Sequence, residues 1–123
     1  TPEANLLTPV IAAYLAGIVD GEGTISLNTP GIKRGFLFKL TVVNTSVALI
    51  QWLPLTTGVG HLHRKPRSSL TTQDCWYWAC SGRSAISLLR QLEPYLIIKR
   101  EKANKALALF KELRTVTLVE LPV

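Results

Sequence analysis

From Val10 to Val19 the chain runs without a charge, and the run ends in Asp20-Gly21-Glu22-Gly23. Thr8-Pro9 marks its start, with threonine as N-cap and proline at the first helical position. A helix this apolar on every side is expected to be buried on nearly all of them. Ala12, Ala13, Ala16 and Gly17 are small and fall three to four apart, which defines a face that a second helix could approach closely. Intrinsic propensity would not choose Gly17, though a core helix can also simply tolerate a glycine. The end of the run is odder. Cations suit a helix C-terminus, yet this one carries two acids among glycines. Carboxylates held against a helix dipole are what a divalent metal site would justify.

Beyond the helix the chain alternates. In Thr24 to Asn28, Ile25 and Leu27 face inward while Thr24, Ser26 and Asn28 face outward, and Pro30-Gly31 turns the chain. Phe36 to Asn44 repeats the pattern, with Phe38, Leu40 and Val42 on one face and Leu37, Lys39, Thr41 and Val43 on the other. The pair reads as a hairpin with a basic loop bearing Lys33 and Arg34. Thr45 or Ser46 caps a short helix through Leu53 that Pro54 closes. Gly58 and Gly60 introduce a third strand with His61, His63 and Lys65 on one face. A polar turn, Pro66 to Thr72, leads to a fourth strand from about Asp74 to Cys80. Ser84 caps a helix with Ala85, Leu88, Leu89 and Leu92 at helical spacing, ended by Pro94. A last amphipathic helix, about Arg100 to Leu113, buries Ala103, Ala106, Leu107 and Phe110 and pairs Glu101 with Lys105 outside. The order predicts an α+β fold, αββαββα with a further helix, occupying 1–123 as one domain.

With 123 residues and 47% of them hydrophobic, the chain can bury an ordinary core. Fourteen Lys and Arg against eight Asp and Glu give a charge of +6, which favours polyanionic partners. No apolar run reaches membrane-spanning length and no basic-then-apolar signal pattern opens the chain, so an intracellular protein is expected, neither secreted nor in a membrane. Cys75 and Cys80 are five apart and would point to opposite strand faces, so they cannot bridge each other. The spacing of His61, His63 and the cysteines matches no zinc-finger pattern.

Leu15-Ala16-Gly17-Ile18-Val19-Asp20-Gly21-Glu22-Gly23 resembles the signature of the LAGLIDADG homing endonucleases, with Glu in place of the second Asp. The element order is similar too, as are Pro94 to Lys99 and Lys102-Ala103-Asn104, which look like the lysine-bearing segment of the single-motif members. The resemblance spans Thr8 to Leu113. It implies a saddle-shaped antiparallel sheet with helices on one face, in a homodimer whose paired motif helices meet at Ala13, Ala16 and Gly17. The implied activity is double-strand cleavage of a long pseudo-palindromic DNA target, with Mg²⁺ or Mn²⁺ as cofactor and no small-molecule substrate. The resemblance implies a role such as intron homing, with the gene in an intron, in an intein or free-standing and the product in the cytoplasm or in a chloroplast or mitochondrion.

Residue by residue, the resemblance makes Glu22 the metal-binding acid and the Gly21 carbonyl a further ligand, while Asp20 shapes the helix end. Lys99 matches the lysine that stabilises charge near the scissile phosphate. Ser46 and Ile50 stand where related enzymes often carry Gln and Arg or Lys around the attacking water; Ser46 can orient a water and Ile50 cannot. Ser26, Asn28, Lys39, Thr41, Val43, His61, His63, Lys65, Trp76 and Trp78 would line the DNA-facing sheet, with Lys33, Arg34, Arg64 and Arg67 at the hairpin tips near flanking phosphates. Read from the residues alone, Lys99 is equally a solvated lysine at a helix start, the tip cations a solvated surface, and the tryptophans ordinary packing. Two other functions stay open: a binding module without nuclease activity, such as a regulator or a splicing maturase, and a protein-interaction domain that is basic by chance.

Overall fold

The computed structural model describes residues 3–31, 35–65 and 75–116. Side chains are described for 3–27, 38–64 and 75–110. Helix α1 spans Pro9–Glu22 and passes without a linker into strand β1, Gly23–Gly31. Strand β2 (Gly35–Asn44), helix α2 (Val47–Thr57), strands β3 (His61–Lys65) and β4 (Cys75–Ser81), helix α3 (Gly82–Leu92), a 3-10 turn (Glu93–Tyr95) and helix α4 (Arg100–Val116) complete it. The sheet is antiparallel in the order β1-β2-β4-β3. This is the α+β arrangement expected. Among the described residues no helix is long and apolar enough to cross a membrane.

Register decides which side chains meet the helices. Ile25 pairs with Leu40, Leu40 with Cys80, and Val42 with Trp78, so all four strands share one apolar face. Ile25, Phe38, Leu40, Val42, Trp78 and Cys80 are buried there against Leu15, Ala16 and Val19 of α1, Ile50 and Leu53 of α2, Leu88, Leu89 and Leu92 of α3, and Ala103 and Ala106 of α4. Each large aliphatic side chain so buried contributes about 1.5–3 kcal/mol of transfer free energy.

Thr8 caps α1 as expected, its hydroxyl accepting the Ile11 N–H at 3.3 Å. The helix is not buried on all sides, however. Ala12, Leu15, Ala16 and Val19 face the core, while Val10 and Tyr14 are 77% and 59% exposed and Ala13, Gly17 and Gly21 lie open beside them. Pro54 does not close α2, which continues to Thr57 and ends at Gly58 in the left-handed region (φ 74°). Only one turn follows the proline, and the Thr57 hydroxyl donates to the Leu53 carbonyl at 2.7 Å within it. Gly58 supplies the positive φ that an L side chain resists. Pro30-Gly31 lies inside β1 rather than in a turn. At α3 the cap position is Ser81, and Ser84 is buried one turn in. The Glu101–Lys105 pair forms on exposed α4 as expected. Cys75 and Cys80 are free thiols of opposite strand parity; burial pushes the Cys80 thiol up to about 12, which leaves it unreactive.

Candidate nucleic-acid interface and catalytic end

The face of the sheet away from the helices carries Thr24 and Ser26 from β1, Lys39, Thr41 and Val43 from β2, His61 and His63 from β3, and Tyr77, Ala79 and Ser81 from β4. All are at least partly accessible except Ala79. His63 stacks on Tyr77 with ring centroids 4.8 Å apart. Lys39, His61, His63, Tyr77 and Ser81 share an open cavity of about 560 Å³. A polar, cationic and aromatic surface of this kind offers donors, acceptors and stacking to a polyanion.

Trp76 and Trp78 are not on that face. Trp78 pairs with Val42 and Leu62, is fully buried, and donates its indole N–H to the Val59 carbonyl at 2.9 Å. Trp76 has the same parity and packs against the core cluster. Both tryptophans therefore leave the expected DNA-facing set, and Tyr77 occupies the outward face between them. Arg64 pairs with Trp76 and shares that parity. Asn28 and Lys65 occupy outward register positions, opposite Leu37 and Cys75, though their side chains lie outside those described. Lys33, Arg34 and Arg67 lie outside the described residues altogether.

The end of α1 holds the acids. Gly23 makes the passage from helix to strand: a Cβ there would stand 2.8 Å from the Val19 Cα and 2.9 Å from its carbonyl oxygen. Its N–H closes the helix on the Val19 carbonyl. Asp20 turns away from this point to hold another segment. Its carboxylate accepts the N–H of Ile97 at 2.8 Å and of Lys99 at 3.0 Å, while the Lys99 ammonium donates to the Asp20 carbonyl at 2.7 Å. Burial works to raise the Asp20 carboxyl, but the N–H groups of Ile97, Lys99 and Ile98 and the Lys99 charge outweigh it and hold the carboxyl below its ordinary value. The cation that the last turn of α1 lacks in sequence is thus supplied from the start of α4.

Glu22 is exposed, and its carboxylate accepts a hydrogen bond from the side-chain amide of Asn44. Sequence alone does not point to Asn44. It points to Ser46, but the Ser46 hydroxyl caps α2 by accepting the Leu49 N–H at 3.3 Å, and it is Asn44 that reaches Glu22. Ile50 is 1% exposed in the core, so it occupies no water-orienting position at all. Ala16 is fully buried inside the chain and cannot contribute to a seam between two copies, which leaves Ala13 and Gly17. A Cβ on Gly17 would meet nothing within 4 Å.

The donors at this end are hard oxygens: the Glu22 carboxylate and the last carbonyls of α1, of which Val19 and Asp20 are satisfied by Gly23 and Lys99 and Gly21 comes next. Such a set suits Mg²⁺ or Mn²⁺ rather than a soft metal. Among the described residues no three His, Cys, Asp or Glu side chains gather.

No family model and no curated protein matches the chain. Solved structures do. It is similar to the homing endonuclease I-CvuI in complex with its target in the presence of Ca, with a TM-score of 0.72 and 24% identity over 88% of this chain and 70% of that one. A second I-CvuI complex, in the presence of Mg with the DNA not cleaved, gives 0.69 and 25% identity over 85% and 68%. The meganuclease I-SmaMI bound to uncleaveable DNA gives 0.65 and 22% identity over 95% of this chain but 43% of that one. The α+β fold described above is therefore one that homing endonucleases solved with DNA also have. More narrowly, it is the fold of the LAGLIDADG homing endonucleases, the family that the motif at the end of α1 resembles.

Proposed function

We propose that the chain is a site-specific, divalent-metal-dependent DNA endonuclease that works as a homodimer. The observation that carries this is the exposed Glu22 carboxylate at the negative end of α1, tethered by Asn44, with Lys99 fixed on the same helix end. Glu22 with the Gly21 carbonyl would hold Mg²⁺ or Mn²⁺, and such a cation, when bound, neutralises phosphate charge and eases deprotonation of water. Lys99 places a fixed positive charge where a phosphate would approach, and Asp20 keeps it there. The outer sheet face, from Ser26 and Thr41 to His63 and Tyr77, would lie in the groove and read the target.

The exposed face of α1 suits the pairing of two copies. The uncovered stripe Val10, Ala13, Gly17 and Gly21 would let two α1 helices touch, which would bring two Glu22 carboxylates near each other, where divalent cations would offset their repulsion.

Bound sites selected from a randomised DNA library, cloned into a supercoiled plasmid and incubated with Mg²⁺, test the function. Wild type should cut, and Glu22→Gln should bind the same DNA without cutting. Tight wild-type binding with no cleavage at any Mg²⁺ concentration would instead establish a binding module. Cleavage by purified Glu22→Gln would remove Glu22 from the mechanism.

A further inference from the structure

We infer that Asn44 is a positioning residue for Glu22, fixing one carboxylate oxygen so that the acid meets a divalent cation in a single orientation; the inference rests on the nuclease reading above. Both ends of the Asn44 amide are engaged. Its Oδ1 accepts the Ser46 N–H at 2.7 Å, an Asx turn that leads into α2. A side-chain amide has one acceptor end and one donor end. With the oxygen committed to the start of α2, the NH₂ group must face the other way, and that is the group bonded to Glu22 Oε2. The helix start, rather than the acid, thus decides which way the amide points.

Backbone register makes the meeting local. β1 and β2 pair from Gly23 opposite Val42, so the end of β2 lies alongside the point where α1 becomes β1. Asn44 bridges the C-terminus of α1 and the N-terminus of α2. Glutamate has one more rotatable bond than aspartate, so an exposed Glu22 needs an external restraint to hold one rotamer. An NH₂ donor restrains a carboxylate without competing for its cation. A carboxylate at position 44 would instead add a ligand and a like charge.

The test uses purified wild type, Asn44→Ala and Asn44→Asp with a selected target DNA. Ca²⁺ titration of the protein–DNA complex reads cation affinity, and single-turnover cleavage across Mg²⁺ concentrations reads its use. Asn44→Ala should need roughly 10- to 100-fold more cation for half-saturation, as outer-shell changes typically do, while DNA affinity in EDTA and the rate at saturating Mg²⁺ stay near wild type. Asn44→Asp preserves the Asx turn and so separates positioning from misfolding. Without cation its thermal midpoint should fall below wild type, and Ca²⁺ should raise it by more than it raises wild type. Unchanged half-saturation in Asn44→Ala, or an Asn44→Asp midpoint with the wild-type response to Ca²⁺, overturns the inference. Either result beside active wild type leaves the nuclease reading standing, whereas wild type that never cuts removes both.

Discussion

Removing the Asp20 carboxylate tests whether one acid holds the lysine-bearing segment onto α1. Asp20→Ala deletes the acceptor for two backbone N–H groups, at 2.8 and 3.0 Å, while Lys99 can still reach the residue-20 carbonyl. Hydrogen bonds to a charged group contribute about 1.5–3 kcal/mol each at most, and the site is only half-buried, so solvent screening reduces the pair to about 1–2 kcal/mol in total. For a domain of this size that lowers the thermal midpoint by roughly 4–8 °C. The pH dependence has a definite sign. The folded carboxyl lies below its unfolded value, so its contribution is fully present above the unfolded pKa, about 4, and is lost as pH falls through the folded pKa. Midpoints of wild type and Asp20→Ala should therefore differ at pH 7 and converge as pH falls below the ordinary carboxylate range. Amide hydrogen exchange gives the local reading: Ile97 and Lys99 should exchange faster in the variant at pH 7, with the β2 amides unchanged. A difference that persists undiminished at low pH, or amides at 97 and 99 that exchange as in wild type, would refute the reasoning.

Trp78→Ala should cost about 3–5 kcal/mol, because it empties a fully buried site and removes the indole donor to the Val59 carbonyl; chemical denaturation reads it, and a loss below 1 kcal/mol would contradict the placement. Tyr77→Ala should leave stability within about 1 kcal/mol of wild type yet weaken DNA binding roughly tenfold, as loss of a side chain that contacts base edges in the groove does; equal affinity by fluorescence anisotropy would remove Tyr77 from the interface. Gly17→Leu should be tolerated by the isolated fold, since nothing stands within 4 Å of its Cβ, and helix propensity favours it by about 0.5–1 kcal/mol. The same change should break self-association by overpacking, and an unchanged dimer in sedimentation would count against the seam.

How much of each segment is legible in the sequence depends on how sharply it alternates. Phe38, Leu40 and Val42 separate from Lys39 and Thr41 by polarity alone, so the faces of β2 can be read directly. In Cys-Trp-Tyr-Trp-Ala-Cys every position is apolar or aromatic, alternation carries no sign, and the tryptophans fall on the wrong face when read from sequence. Helix α1 reads as buried all round because hydropathy cannot distinguish a core contact from a face left for a partner. Asp20 and Glu22 are separable in role only through the motif they resemble. Asn44 is invisible for a different reason: its meeting with Glu22 depends on β1–β2 register, a long-range fact that no local pattern encodes.

On the DNA-endonuclease reading proposed above, the joint at Gly23 limits how such a chain can change what it recognises. With Val19 backbone atoms packed against that single residue, helix and strand cannot swivel about each other. The outward sheet face is thereby fixed to the helix end that carries Glu22. Adaptation to a new partner sequence must then proceed by exchanging outward side chains such as Ser26, Thr41, His63 or Tyr77 in place, one position at a time, over a frame whose buried parity leaves the helix end undisturbed.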